Sequence, residues 1–442
     1  MLDREVLLLN EDFRRTLDVL ERQRVSAFIT GRAGTGKSTL LQLFRNTTRR
    51  KVAVVAPTGT AAINVRGQTI HSFFGFPPRI VTLKEASKKA FPLERRRLYQ
   101  KIEVLVIDEI SMVRADLLDA INHFLQANRE NPAPFGGLQV VLFGDPFQLP
   151  PVVSRQNIER EYLNTYYYSP YFFSSHVFEQ MGDSFQMIEL RRVYRQESQD
   201  FLRLLEAVRT NSATQDELGA LNARHHPYFS NTEGYVTLCA RNDTANRINQ
   251  QELSRLPGHS RTYEAEITGQ FDVSVYPTES MLALKEGAQV MFIKNDPNRE
   301  FVNGTIGIVK RLHNHGVEVV VEEPNQPKRI IEVEPASWEI IRYRIDEPSG
   351  ELSTEVLGAF HQLPLRLAWA VTIHKSQGKT FDRVILDLEG GAFEHGQLYV
   401  ALSRCRTLEG LVLRRPIRPR DVITDERVVD FFERHFRRHS NR

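Results

Sequence analysis

Two stretches of this chain carry residues that could hold a phosphate. In "GRAGTGKST" (31–39), Gly31 is followed at the right spacing by Gly36, Lys37 and Ser38, completing G-x-x-x-x-G-K-[ST]. In "IHKSQGKTF" (373–381), the triplet Gly378-Lys379-Thr380 looks like the end of such a loop, but Ile373 stands where the leading glycine is needed. Only the first stretch reads as a nucleotide site. Backbone N–H groups of residues 34–38 are expected to cradle phosphate oxygens, which makes Gly34, Thr35, Gly36, Lys37, Ser38 and Thr39 the candidate pocket. Lys37 would reach the β- and γ-phosphates, and Ser38 would ligate Mg²⁺. "LVIDEIS" adds Asp108, placed to hold Mg²⁺ directly or through water, and Glu109, placed to polarise an attacking water. A kinase has less use for Glu109, so hydrolysis of ATP or GTP is the expected reaction.

Other residues suggest what that hydrolysis drives. "APTGTAAINVRGQTIHSFF" (56–74) offers Thr58, Gly59, Thr60, His71 and Ser72, short donors suited to successive phosphates of a single strand. Spacing alone leaves equal room for a capped helix with a structural His71. In "LFGDPFQLPPV", Gln148 is suited to sense the γ-phosphate and the water together, and Pro150-Pro151 would stiffen the segment beyond it. Arg195 in "LRRVYRQ" and Arg404 in "LYVALSRCRT" could stabilise charge developing on the γ-phosphate, with surface ion pairs as the plainer reading.

These residues need rigid elements. "SAFIT", "VAVVAP", "VLVID" and "VVLFGD" are short apolar runs separated by helical patterns such as "KSTLLQLFRN", which predicts a doubly wound parallel α/β sheet. Ligands of such a sheet bind at the carboxyl ends of its strands. Residues 72–100 lack sheet patterning and read as an insertion. A second α/β pattern opens after residue 182 with "FQMIEL", and short β runs between "AQVMFIKND" and "RIIEVEPASWEIIRYRI" predict a small antiparallel barrel inserted in it. With 442 residues, two to four domains are expected. A hydrophobic content of 41% and a charged content of 26% are those of an ordinary globular chain, and no apolar run is long enough to span a bilayer. The opening "MLDREVLLLNEDF" does not read as a secretion signal. Two cysteines, Cys239 and Cys405, are too few for a disulfide framework or a zinc site and point to a reducing cytoplasm. A net charge of +3 is weak evidence for a polyanionic partner, and the Arg-rich end reads first as a solvated helix face.

Taken together, "GRAGTGKST", "APTGTAAINVRGQTIHSFF", "LVIDEISMV", "PFGGLQVVLFGDPFQLPPV", "ELRRVYRQ", "FVNGTIGIV", "AWAVTIHKSQGKTFD" and "YVALSRCRT" resemble the DNA helicases of superfamily one, class B. The resemblance is to the PIF-one type (the petite-integration-frequency family), with the RecD-like helicases as near relatives, and it covers residues of about 31–410. It implies two RecA-like P-loop motor domains, at 1–182 and at 183–296 plus 363–442. It further implies a wedge-bearing insertion at 72–100 and an SH3-like barrel at 297–362. It implies ATP and Mg²⁺ as cofactors. It also implies single-stranded DNA and DNA junctions as partners, translocation in the 5′→3′ direction, and unwinding of duplexes, RNA–DNA hybrids and G-quadruplexes. The downstream stretch then resembles the family's nucleic-acid motif: Thr372, His374, Lys375 and Ser376 would contact phosphates, and Gln377 and Gly378 would lie near the γ-phosphate. One departure stands out. A Gln that reads adenine in this family is replaced by Phe13, leaving Asn10 as the nearby amide.

Two rivals come from other classes. A P-loop enzyme of small substrates would hydrolyse ATP indifferently to added DNA, and a passive binding module would not need Lys37, Asp108 and Glu109 together. A monomer is expected, with a DNA-induced dimer as the alternative, in the cytoplasm and at the nucleoid if the source is bacterial. An accessory domain beyond the last motif is left open.

Overall fold

The computed structural model describes residues 10–88, 93–153, 157–196, 198–230, 232–296, 298, 300–322, 327–346 and 349–437. The outermost residues of the expected domain ranges, and the end of the Arg-rich stretch, lie outside these. The chain forms two units. One draws on Met1–Tyr194, Ile340–Leu357 and Asp425–Arg442, the other on Arg195–Glu339 and Gly358–Thr424.

The first unit is built on six parallel strands: β1 (Ala27–Gly31), β2 (Val52–Ala56), β3 (Gln68–Thr69), β4 (Val104–Ile107), β5 (Gln139–Phe143) and β6 (Gln186–Leu190). Their order is β3-β2-β4-β5-β1-β6. Every residue of β1, β2, β4 and β5 is buried, as continuous apolar runs require when helices cover both faces. Helix Lys37–Thr47 lays Leu40, Leu41 and Phe44 on the sheet, in one core with Ile29, Val54, Val106 and Phe143. Each such side chain contributes about 1.5–3 kcal/mol by leaving water.

The "PFGGLQ" stretch before β5 has a structural job here. Phe135 is buried at φ 52°, with its N–H donated to Asn122 Oδ1 at 2.7 Å, and Gly136 comes next at φ 64°. A Cβ on Gly136 would stand 2.7 Å from the Leu125 carbonyl oxygen. The turn thus delivers β5 tightly from under helix Ala115–Arg129. In the described part of the 72–100 insertion Leu83–Ala86 and Leu93–Lys101 are helical, and Phe73, Phe74, Phe76 and Tyr99 pack by their rings on Phe124 or on one another.

The second unit holds a parallel sheet of β7 (Val236–Cys239) with three strands from the end of the chain. Between them come β8 (Arg261–Glu264), β9 (Glu266–Gly269), β10 (Met281–Leu284), β11 (Gln289–Phe292), β12 (Ile306–Leu312), β13 (Val317–Val321) and β14 (Arg329–Val333). The long hairpin β15 (Ala336–Ile345) and β16 (Leu352–Gln362) is next, then β17 (Leu365–Leu367), and β18 (Ala370–Thr372), β19 (Val384–Asp387) and β20 (Leu411–Leu413) complete the parallel sheet. The order there is β18-β7-β19-β20. An antiparallel sheet β14-β13-β12-β11-β17 shares one apolar core with the β8–β10 pair, through Tyr263, Leu282, Leu284, Val290 and Val319.

Three expected boundaries need correction. "FQMIEL" does not open the second domain: as β6 it pairs along all of β1. Residues 425–437 belong to the first unit, where Phe431 stacks on Phe173 at 4.3 Å and also meets Phe28. The barrel is not 297–362. It recruits β8, β10, β11 and β17, while residues 340–357 of the hairpin pack with the first unit.

Candidate nucleotide and nucleic-acid sites

β1 ends at Gly31, and the loop after it needs its glycines: Gly31, Gly34 and Gly36 have φ of 154°, 83° and 85°. A Cβ on Gly31 would lie 2.6 Å from the Leu190 carbonyl oxygen, and one on Gly36 would lie 2.9 Å from the Phe13 ring. Gly36 starts helix Lys37–Thr47 with no side-chain cap, which leaves the first-turn N–H groups to an external acceptor. Lys37 Nζ donates to the carbonyls of Gly31 at 2.7 Å and Arg32 at 3.2 Å, folding the ammonium over the loop. Thr35 is buried and donates to Arg32 O at 2.9 Å, so it holds the loop's shape, while Ser38 and Thr39 are exposed on the first turn.

Asp108 directly follows β4 and is buried; Glu109 stands next to it at φ 52°, ψ 46°. A non-glycine residue in that region is strained, and such strain gathers at functional sites. Burial first, and then the Glu109 charge, raise the Asp108 carboxyl above the ordinary carboxylate range, with Lys37 opposing them. Gln148 is buried in the turn after β5, its Nε2 donating to Asp145 Oδ2 at 3.3 Å and its N–H to Asp145 O at 2.9 Å. Asn10 caps helix Glu11–Asp18 by accepting from Phe13 N at 2.7 Å, and its amide donates to Tyr194 Oη at 2.6 Å. The amide expected to read a base is thus already engaged on both sides. Tyr194 was missed in the sequence. Its N–H donates to Gly34 O at 2.9 Å, half its surface is open, and Arg192 lies over its ring. The one signal in the sequence was an aromatic just before Arg195.

The candidate strand-binding residues of this unit sit on two short helices. Thr58 caps Gly59–Asn64 by accepting from Ala61 N at 3.2 Å, and Thr69 caps Ile70–Phe74 by accepting from Ser72 N at 3.1 Å. The stretch thus forms two capped helices, on which Thr60 and Ser72 are exposed while Thr58 and Gly59 are half-buried. His71 is half-buried; burial and then Arg114 lower its pKa while Asp116 raises it.

In the second unit, β18 runs into helix Ile373–Ser376. His374 and Lys375 are exposed there, with His374 Nε2 3.3 Å from Glu394. Thr372 and Ser376 are not. The Thr372 hydroxyl accepts from Lys375 N at 3.3 Å, and the fully buried Ser376 hydroxyl donates to Ile373 O at 2.7 Å. These two shape the turn instead of presenting to a strand. Gly378 turns the chain at φ 79°, next to half-buried Gln377. Arg404, expected to stabilise charge on the γ-phosphate or to sit in a surface ion pair, is 1% exposed and donates to the carbonyls of Val400, Lys379 and Ser376. Arg195 donates to Ser403 O at 3.1 Å and Gly378 O at 3.4 Å. Burial first, and then Arg404, pull its pKa well down; two guanidiniums held together favour an anion beside them.

The family model for PIF1-like helicases matches residues 10–217. The Pif1 ATP-dependent DNA helicase of Bdellovibrio bacteriovorus is 33% identical over 438 residues, covering 96% of this chain and 92% of that protein. The chain belongs to the PIF1-like helicase family. The human PIF1 helicase is 35% identical over 92% of this chain, but the chain spans only 61% of that relative's length. Among solved PIF1-like structures, Bacteroides Pif1 in complex with ADP-AlF4 is 37% identical, covers 98% of each chain and superposes with a TM-score of 0.90. Bacteroides Pif1 bound to single-stranded DNA is 38% identical over the same coverage, with a TM-score of 0.69. A model of the UvrD-like helicase C-terminal domain matches residues 367–412, which takes in Thr372–Gly378 and Arg404 of this PIF1-like chain.

Among the described residues no helix is long and apolar enough to cross a membrane. None of them form a group of three or more His, Cys, Asp or Glu able to hold a metal. The donors on offer, the Ser38 hydroxyl and the Asp108 carboxylate, are hard oxygens, and Mg²⁺ takes its other ligands from phosphate and water.

Proposed function

We propose that this chain is an ATP-dependent DNA helicase that moves 5′→3′ along single-stranded DNA and opens duplexes, RNA–DNA hybrids and G-quadruplexes. The observation that carries the reading is the uncapped phosphate loop with Lys37 beside buried Asp108 and strained Glu109, on a chain whose other motifs are those of PIF1-like helicases. In this reading the 34–38 amides and Lys37 hold the triphosphate and Glu109 orients the water. Gln148 reports the γ-phosphate, and Tyr194 flanks the base in place of the missing Gln. Mg²⁺, held by Ser38 and Asp108, would neutralise charge on the phosphates. Arg195, one residue after Tyr194 in the chain, is the cation proposed for the γ-phosphate. Arg404 holds the 376–379 turn, with Gln377 and Gly378, where Arg195 rests. Thr58, Gly59, His71, Ser72, His374 and Lys375 grip the strand, and alternating grip coupled to hydrolysis produces movement. The binding of single-stranded DNA by Bacteroides Pif1 supports the partner. The 5′→3′ sense rests on family resemblance. A monomer that pairs at DNA junctions is the proposed assembly, and the cytoplasm, at the nucleoid in a bacterium, the proposed place.

Unwinding of matched duplexes with 5′ or 3′ tails tests the reading. We expect ATP- and Mg²⁺-dependent opening of the 5′-tailed duplex only, and none with Lys37→Ala. Opening from the 3′ tail sinks the polarity. ATP turnover unmoved by single-stranded DNA sinks the motor.

A further inference from the structure

Ser72 is exposed, but the group behind it is not. Gln68, at the start of β3, is 4% exposed, and its Nε2 donates to Ser72 Oγ at 3.2 Å. The other end of that amide is fixed by a group whose polarity is unambiguous: the backbone N–H of Tyr343 donates to Gln68 Oε1 at 3.0 Å. An amide whose oxygen faces a donor must turn its NH₂ the other way. Ser72 Oγ therefore receives a hydrogen bond from inside the fold, and its own hydrogen is directed outward. That is the polarity a phosphate oxygen needs, since such an oxygen only accepts.

Tyr343 is itself locked. It is 3% exposed, its phenol oxygen accepts the Val54 N–H at 3.2 Å, and its ring meets Phe73 edge-on at 5.9 Å. Phe73 is the residue after Ser72 on helix Ile70–Phe74. Lys51 Nζ also holds the hairpin, donating to Gly350 O at 2.6 Å.

We infer that Gln68 is a positioning residue for the nucleic-acid site: it turns the Ser72 hydroxyl into an outward donor, and hairpin residue Tyr343 sets the Gln68 amide. This rests on the reading that Ser72 touches a DNA phosphate. The probe is a fluorescent oligothymidylate, with affinity measured by anisotropy at fixed salt alongside melting temperature and DNA-free ATP turnover.

Ser72→Ala should weaken binding roughly tenfold, the loss of one hydrogen bond to a charged group. Gln68→Glu should do the same at pH 8, because a carboxylate accepts from Ser72 and turns its hydroxyl inward. Its affinity should recover relative to the parent as pH falls, because a protonated acid donates again. The double variant should bind no worse than either single one, since both act through the same bond. DNA-free turnover should stay unchanged in the Gln68 single variants. If Gln68→Glu melts early, Gln68→Met, of similar size and without a donor, replaces it and should show the same loss without recovery at low pH. Multiplying losses in the double variant, or parental binding by whichever Gln68 variant melts like the parent, overturns the inference. Parental binding by Ser72→Ala instead overturns the contact at Ser72, so the two failures are distinguishable.

Discussion

Lys379 belongs to the triplet that imitates a phosphate loop, and its surroundings show why it is not one. It is buried, and burial, then Arg366, then Arg404 pull its pKa down from 10.5 to about 8. Its carbonyl accepts from Arg404 and its N–H donates to Ser376 O, so the residue is part of a packed turn. The pH dependence has a definite sign. Below about pH 8 the ammonium is charged in the folded and the unfolded chain, and the penalty is fully present. Between about 8 and 10.5 the folded chain has released the proton while the unfolded chain keeps it, so stability rises with pH. Lys379→Met should raise the melting temperature at pH 7, and that advantage should shrink steadily towards pH 10.5. A gain that is flat with pH would show that packing and not charge sets the cost.

At the scale of elements, the four buried parallel strands could be read directly, because a strand covered on both faces must be apolar throughout. What such a run does not encode is its neighbour. "FQMIEL" has the same pattern whether it joins β1 or a later sheet, and only the close approach of the Leu190 carbonyl to Gly31 settles it. β3, two residues long, has no periodicity to find. The hairpin announced its strands, but not that Tyr343 docks beside β2. In the site, the glycines, Lys37, Asp108 and Glu109 stand out in the sequence because phosphate chemistry demands those types at that spacing, and the fold brings Lys37, Asp108 and Glu109 within electrostatic reach of one another. Thr372, Ser376 and Arg404 were misjudged for a physical reason: a hydroxyl or a guanidinium has the same formula whether it faces a ligand or a backbone carbonyl. The "PFGG" turn makes its own prediction. Gly136→Ala places a Cβ 2.7 Å from Leu125 O at positive φ and should destabilise the first unit by about 2 kcal/mol or more in urea unfolding. The affinity for ADP of the protein that remains folded should not change.

Over the whole molecule, each unit carries its own apolar core, one around Phe44 and Ile29, the other around Val290 and Val319. Unfolding should therefore not be two-state. Calorimetry of Phe44→Ala should lower one transition, by about 3–5 kcal/mol, while Val319→Ala lowers the other. A single transition moved equally by both variants would count against independent cores. The face of the first sheet that carries Phe28 is assembled from distant parts of the chain. Phe28 of β1 waits for Phe431 and Phe436, some four hundred positions later, to cover it. A ribosome has thus added some four hundred further residues before the phosphate-loop sheet is sealed. The nascent chain meanwhile shows an oily flank that chaperones would have to shield.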